Sequence, residues 1–450
     1  MHTQELTQFE HLTEERAENS LKYRMMILFL GMIALFLVVV IKSKNINNLN
    51  YDPLFVGYTL FVTTFQLSRV LSAMFFKKSL YEVIPEKAEA EKGAIKKSVY
   101  EPRVTFVIPC KNEENAIEKT ITQCFAADYP KEKIEVIVIN DGSTDGTGEV
   151  LKMLKKKFES LIVVDWKENK GKRHGMAEGF NRAKGEIIIQ LDSDSYIVPE
   201  EFRNLISPFE NPEIGGVCAH ADPENADTNI LSKMQAAYYF MSFRILKAAE
   251  SSHYVVFCLS GCSSAYRKEA VLPIMDTWLN ETFLGKPVTW GDDRALTNWV
   301  LKRGYKTIYT DEVRARTIVP TTLKQLFKQQ VRWKKGWFVN SINAGKFVYK
   351  KHPFVAFTYF YPLILVTLLT PVMATKAVYS AFTEEISNTI FYVLGVMLVA
   401  AIITLYYRYV ARDNKHWGYM FLWAGLNMIV LSFLLYYALL TIQNRKWGTR

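Results

Sequence analysis

Two carboxylates one residue apart, Asp192 and Asp194, close the stretch IIIQLDSD at 187–194. The apolar run behind Gly185 reads as a strand buried inside a sheet. Such a strand ends where the sheet meets solvent, and open α/β sheets bind ligands at the carboxyl ends of their strands. Two hard oxygen donors in that place suit Mg²⁺ or Mn²⁺ bridging a diphosphate. The competing reading is a helix N-cap, because Pro199, Glu200 and Glu201 look like a first helical turn.

Four further stretches carry groups that could join them. NDGSTDGT (140–147) puts Asp141 at another strand end, where Gly142 allows close backbone approach. It is no dinucleotide fingerprint, since Gly146 and Gly148 lack a third glycine at the right offset, and no Gly-Lys-Ser/Thr follows to make a P-loop. It is no calcium loop either, because Lys152 stands where the closing Glu belongs. ENKGKRHG (168–175) packs Lys170, Lys172 and Arg173 around Gly171, between two strands, where a diphosphate needs cations. A solvated charged face is the plain alternative. FCLSGCSSAYR (257–267) gathers small residues around Gly261, as close approach of a flat or bulky group requires, or as a tight strand-turn does. GDDR (291–294) opens a helix, with Asp292 or Asp293 as its N-cap or as a functional acid. QQVRW (329–333) sits in a basic stretch rich in Trp and Phe.

The elements that must position these groups alternate. Strands are expected at 104–108, 134–139, 161–164, from 187 and at 305–310, and helices at 115–125, 150–158, 225–250 and from Asp292. That alternation predicts an α/β domain with a mostly parallel sheet over 101–320. Residues 321–352 read as amphipathic helices lying in a membrane interface.

Apolar residues make up 49% of the chain and charged residues 22%, but the apolar ones concentrate at both ends. Two spans are expected within 25–76, and three apolar segments, spanning or re-entrant, within 353–442. Residues 1–24 form a polar cytosolic segment that is not a cleaved signal, 77–100 a charged linker and 443–450 a basic tail. Lys77 and Lys78 favour a cytosolic side after the second span. The same rule disfavours an outside location for the tail, so the last segment is expected to dip in and return or to lie in the interface. The net charge of +10 clusters beside the apolar segments. A lipid bilayer and an anionic substrate fit it better than nucleic acid, for which no regular basic and aromatic array exists. Five scattered cysteines argue for reduced, mostly buried thiols and against a disulfide framework or zinc site.

The ordered set of strand-end acids, GDDR and QQVRW between membrane segments resembles the membrane-integrated processive glycosyltransferases of the hyaluronan synthase and chitin synthase family, glycosyltransferase family two. The closing Trp447-Gly448-Thr449-Arg450 is similar to the gating segment of those synthases. The resemblance implies a GT-A type domain, a UDP-sugar donor and a growing polysaccharide acceptor at the plasma membrane. Carried over by position, it implies Asp141 at the uracil with Lys172 nearby. Asp192 and Asp194 would hold the metal and diphosphate, and Asp293 would be the general base. Gln329, Arg332 and Trp333 would bind diphosphate and acceptor, although a membrane anchor is the other reading of Trp333. Cys258, Ser260, Gly261 and Cys262, with Asp292 and Arg294, would form the acceptor pocket. Trp447, Thr449 and Arg450 would close over the nucleotide. The family usually has Gly-Pro where this chain has Gly261-Cys262. The chain stops at Arg450 where some relatives carry further spans, so a narrower pore or a homo-oligomeric one is expected. Transfer to a polyprenyl phosphate, or a non-catalytic transporter role, are the competing readings.

Overall fold

A computed structural model describes residues 52–83, 100–383, 386–411 and 414–444. The first of the two spans expected within 25–76, most of the linker and Trp447, Thr449 and Arg450 lie outside the described residues.

Among the described residues ten strands form: β1 (Val104–Cys110), β2 (Ile134–Asp141), β3 (Leu161–Trp166), β4 (Ile187–Gln190), β5 (Tyr196–Ile197), β6 (Ile214–Pro223), β7 (Ser264–Arg267), β8 (Thr282–Phe283), β9 (Lys286–Pro287) and β10 (Lys306–Thr317). Eight make one sheet in the order β3-β2-β1-β4-β7-β6-β10-β5, and β8 pairs with β9. β1 runs parallel to β2 and β4, and β2 to β3, so their carboxyl ends open on one edge. β7 is antiparallel to both β4 and β6, which makes the sheet mixed. All four residues of β4 are buried, as its unbroken apolar run requires. Each isoleucine there contributes about 1.5–3 kcal/mol of burial.

β6 is the longest of the strands that periodicity does not announce. Its sequence IGGVCAHADP has two glycines, which weaken a strand signal. Packing demands both: a Cβ on Gly215 would sit 2.5 Å from Tyr305 Cβ, and one on Gly216 2.3 Å from Leu259 Cδ1.

The expected single helix at 225–250 is three pieces. Asn229 caps Ile230–Phe240 by a reciprocal box with Ser232, a π-helical stretch follows over Met241–Lys247, and Ala248–Ser251 closes it. The helix N-cap reading of Asp192 and Asp194 is excluded, because β5 intervenes and Val198 precedes the 3₁₀ turn Pro199–Glu201.

Among the described residues four helices are long and apolar enough to cross a membrane: Gly57–Phe76, Pro353–Ser380, Asn388–Val410 and Tyr419–Leu440. The charged residue in the first, Arg69, lies over the Tyr359 ring at 4.3 Å and donates to Thr358 O at 3.2 Å. The α/β domain docks on these helices through aromatic contacts, Phe76 on Tyr309 (5.5 Å) and Tyr238 on Trp423 (4.5 Å).

Candidate active site

The carboxyl ends of β2 and β4 open into a cavity of about 1440 Å³. Its lining runs from Asp141 to Thr367, a residue of the Pro353–Ser380 helix. Every described residue of the expected site lines it except Asp292.

On the β2 side, the two Asp141 carboxylate oxygens accept the backbone N–H groups of Lys170 (2.6 Å) and Gly171 (2.9 Å). This clasp shapes the turn that starts the helix Lys172–Arg182. Gly142 has φ 65°, and a Cβ there would lie 2.7 Å from Asn169 N, so close approach of the two loops is what this glycine permits.

Lys172 Nζ pairs with Asp192 Oδ1. Burial works against the ammonium, but Asp192, Asp293 and Asp292 outweigh it and hold the lysine charged well above its usual range. Lys170 instead lies over the Trp166 ring at 4.4 Å. Arg173 corrects the expectation of a third phosphate-facing cation. Its side chain is 5% exposed, and it donates to Asp292 Oδ1 (2.9 Å), Glu281 Oε2 (3.1 Å) and Trp278 O (2.9 Å).

Asp192 and Asp194 both line the cavity, and Ser195 Oγ donates to Asp194 Oδ1 at 3.1 Å. Among the described residues no three His, Cys, Asp or Glu side chains converge as a metal cluster. Two carboxylates that leave the remaining positions to phosphate oxygens and water are how Mg²⁺ is ordinarily held at a nucleotide, so the donor set fits.

Asp293 is the second residue of the helix Asp292–Lys302, after Gly291 at φ 70°. Its Oδ2 accepts the Gly261 N–H at 2.9 Å, and its Oδ1 the Gln190 side-chain amide at 3.2 Å. Burial, and then the charges of Asp192 and Asp292, push its carboxyl up against the opposing pull of Lys172. Asp292 is the second correction. It is 3% exposed, committed to Arg173, and does not reach the cavity as an acceptor-binding group. Nor does either acid serve as N-cap, a position that Gly291 fills.

The QQVRW helix, Leu323–Gly345, meets this corner glycine to glycine. A Cβ on Gly291 would sit 2.8 Å from Gly336 Cα, and Asn340 Nδ2 donates to Gly291 O at 3.2 Å. That crossing brings Gln329, Arg332 and Trp333 to the cavity wall. Burial pulls the Lys334 amine there down to about 8. Ser260, Gly261 and Cys262 also line the cavity, with half-buried Cys258, whose carbonyl takes the buried Lys247 ammonium. All five cysteines are free, and four are buried.

Gln190 and Lys247 went unremarked in the sequence. Gln190 had a signal, a polar residue inside an otherwise apolar buried strand.

Residues 105–272 match the family described as Glycosyl transferase family 2. The chain is 33% identical over 273 residues to the hyaluronan synthase of Streptococcus pyogenes serotype M1, covering 59% of this chain and 64% of that relative. It is 32% identical over 244 residues to an N-acetylglucosaminyltransferase of Azorhizobium caulinodans, covering 53% and 60%. Among solved structures it resembles a mannosyltransferase from Pyrobaculum calidifontis in complex with GDP-Man and Mn²⁺. The TM-score is 0.57 at 20% identity, covering 85% of this chain and all of that one. This likeness shows the fold, a GT-A domain.

Proposed function

From the premise that residues 105–272 are a glycosyl transferase family 2 domain, we propose that the chain is a membrane-embedded, processive, inverting β-glycosyltransferase. It polymerises UDP-activated sugars at the cytosolic face of the plasma membrane and extrudes the polymer. The product we assign is hyaluronan, made from UDP-GlcNAc and UDP-GlcA. The observation that carries this reading is that a single cavity is lined by the strand-end acids and cations, by Asp293 and by a residue of a membrane-length helix, Thr367. The Streptococcus pyogenes relative supports the choice of product.

An acceptor hydroxyl titrates far above neutral pH, so a positioned carboxylate must take its proton as it attacks. Asp293 holds that place. Gly261 N–H and Gln190 fix its two oxygens, and a raised pKa makes it a stronger base than a free carboxylate. The UDP leaving group gains negative charge as the glycosidic bond breaks, and Lys172 and Arg332 face the cavity to offset it. Asp192 and Asp194 would hold Mg²⁺ or Mn²⁺, which when bound supplies further charge neutralisation at the diphosphate. Attack opposite the leaving group converts an α-linked donor into a β-linkage. Trp333 offers a flat apolar face for the acceptor ring in the cavity that Cys258 and Gly261 also line.

Purified protein incubated with UDP-GlcNAc alone, and with UDP-GlcNAc plus UDP-GlcA, tests this. Polymer only with both donors is expected. Polymer from UDP-GlcNAc alone would reassign the chain to chitin synthesis, and a chloroform-extractable sugar lipid would reassign it to polyprenyl-phosphate glycosylation.

A further inference from the structure

Lys172 and Asp293, the leaving-group cation and the general base, are each followed or preceded in sequence by a charged residue whose side chain is buried. Those neighbours, Arg173 and Asp292, bond each other at 2.9 Å with both side chains almost fully buried. We propose that Arg173 and Asp292 are a positioning pair that sets the gap between the leaving-group cation and the general base. The proposal rests on the reading of this cavity as a sugar-transfer site.

The helices that carry Lys172 and Asp293 begin at Lys172 and Asp292, and both are entered through a left-handed glycine, Gly171 at φ 97° and Gly291 at φ 70°. Neither helix has a side-chain N-cap hydrogen bond. Their first turns therefore lack the usual local lock, and a bond between the two helices supplies one. Arg173 extends the lock to a second point. Its Nη1 also binds Glu281 Oε2 (3.1 Å), and Glu281 Oε1 accepts Trp299 Nε1 (2.6 Å). Trp299 lies two turns along the same helix as Asp292. The GDDR helix is thus held at its start and farther along, so neither a slide nor a rotation about its axis is free. Trp278 completes the seat, its carbonyl accepting from Nη1 at 2.9 Å and its ring under the guanidinium at 4.8 Å. A lysine cannot make these contacts together, because it lacks the planar fork.

The test measures UDP binding by calorimetry and sugar transfer at saturating donor for the full chain in detergent. It compares wild type, Asp292→Asn, Arg173→Gln and Arg173→Lys. Misplacing reacting groups by about 1 Å can cost about 10²-fold in rate, so kcat is expected to fall toward that extent in Asp292→Asn and Arg173→Gln. UDP affinity is expected to stay near wild type, and Arg173→Lys to recover part of the loss. Asp292→Asn keeps the side-chain volume but replaces the charge-assisted bond to Arg173 Nε by a weaker neutral one, so it decides the matter if Arg173→Gln fails to fold. Wild-type kcat in Asp292→Asn, or a fall in UDP affinity parallel to kcat, would overturn the pair's role. A wild-type chain that binds UDP but transfers no sugar would instead overturn the proposed function.

Discussion

The Gly261 N–H points at Asp293 Oδ2 from 2.9 Å, joining the small-residue loop to the first turn of the GDDR helix. A Cβ on Gly261 would lie 2.5 Å from Gln190 Nε2, 2.9 Å from Asp293 Oδ1 and 3.0 Å from Asp192 Oδ1. Gly261 is therefore the point where three polar side chains of the site converge, and any side chain there must displace them.

Gly261→Ala is accordingly expected to lower sugar transfer by more than about tenfold, since displacements of about 1 Å carry costs of that order or larger. Cavity side chains can shift where core ones cannot, so thermal stability is expected to change little. Transfer assays beside thermal melts check this, and wild-type transfer by a folded Gly261→Ala would show that the loop does not constrain the base.

The acid limb of the rate should report Asp293. The carboxyl must be ionised to accept a proton, and burial, Asp192 and Asp292 raise its pKa. Activity is therefore lost on acidification at a pH above about 3.9, where a free Asp titrates. A kcat/KM profile in the presence of saturating metal would give the midpoint. A value at or below the free-carboxylate range would mean that another group accepts the proton.

Chelation should abolish transfer, and added Mn²⁺ or Mg²⁺ should restore it. Asp192→Asn is expected to raise the metal concentration needed for half-maximal rate, because it removes one of two carboxylate donors. The same variant also breaks the Lys172 pair. Asp194→Asn leaves the Lys172–Asp192 pair in place and so separates the two effects: both variants should shift the metal requirement. Full activity in chelator would remove the metal from the account.

The strand-end acids were legible because β2 and β4 are parallel members of one sheet with buried, apolar sequences, and parallel order puts their ends on one edge. GDDR was legible as a helix start, but which acid faces the cavity was not. Adjacent residues at a helix N-terminus point in different directions, and the choice is made by Arg173, more than a hundred residues away. Arg173 itself looked like one member of a basic run. Its role depends on Trp278 and Glu281, which no local pattern connects to it. β6 escaped for a similar reason, since Gly215 and Gly216 are set by Tyr305 and Leu259 across the fold rather than by strand propensity.

Asp293→Asn tests the central claim most directly, when UDP binding, thermal stability and sugar transfer are measured on the same preparation. The fold disfavours the charged carboxylate, so ionised Asp293 costs stability at neutral pH and regains it only as pH falls toward its raised pKa. The neutral amide relieves that cost but keeps only one of the two hydrogen bonds accepted from Gly261 and Gln190, so the melting temperature should change little. UDP should bind as in wild type, while transfer falls by about 10²–10⁴-fold, the usual contribution of a general base. Wild-type transfer by a folded, UDP-binding Asp293→Asn chain would contradict the account.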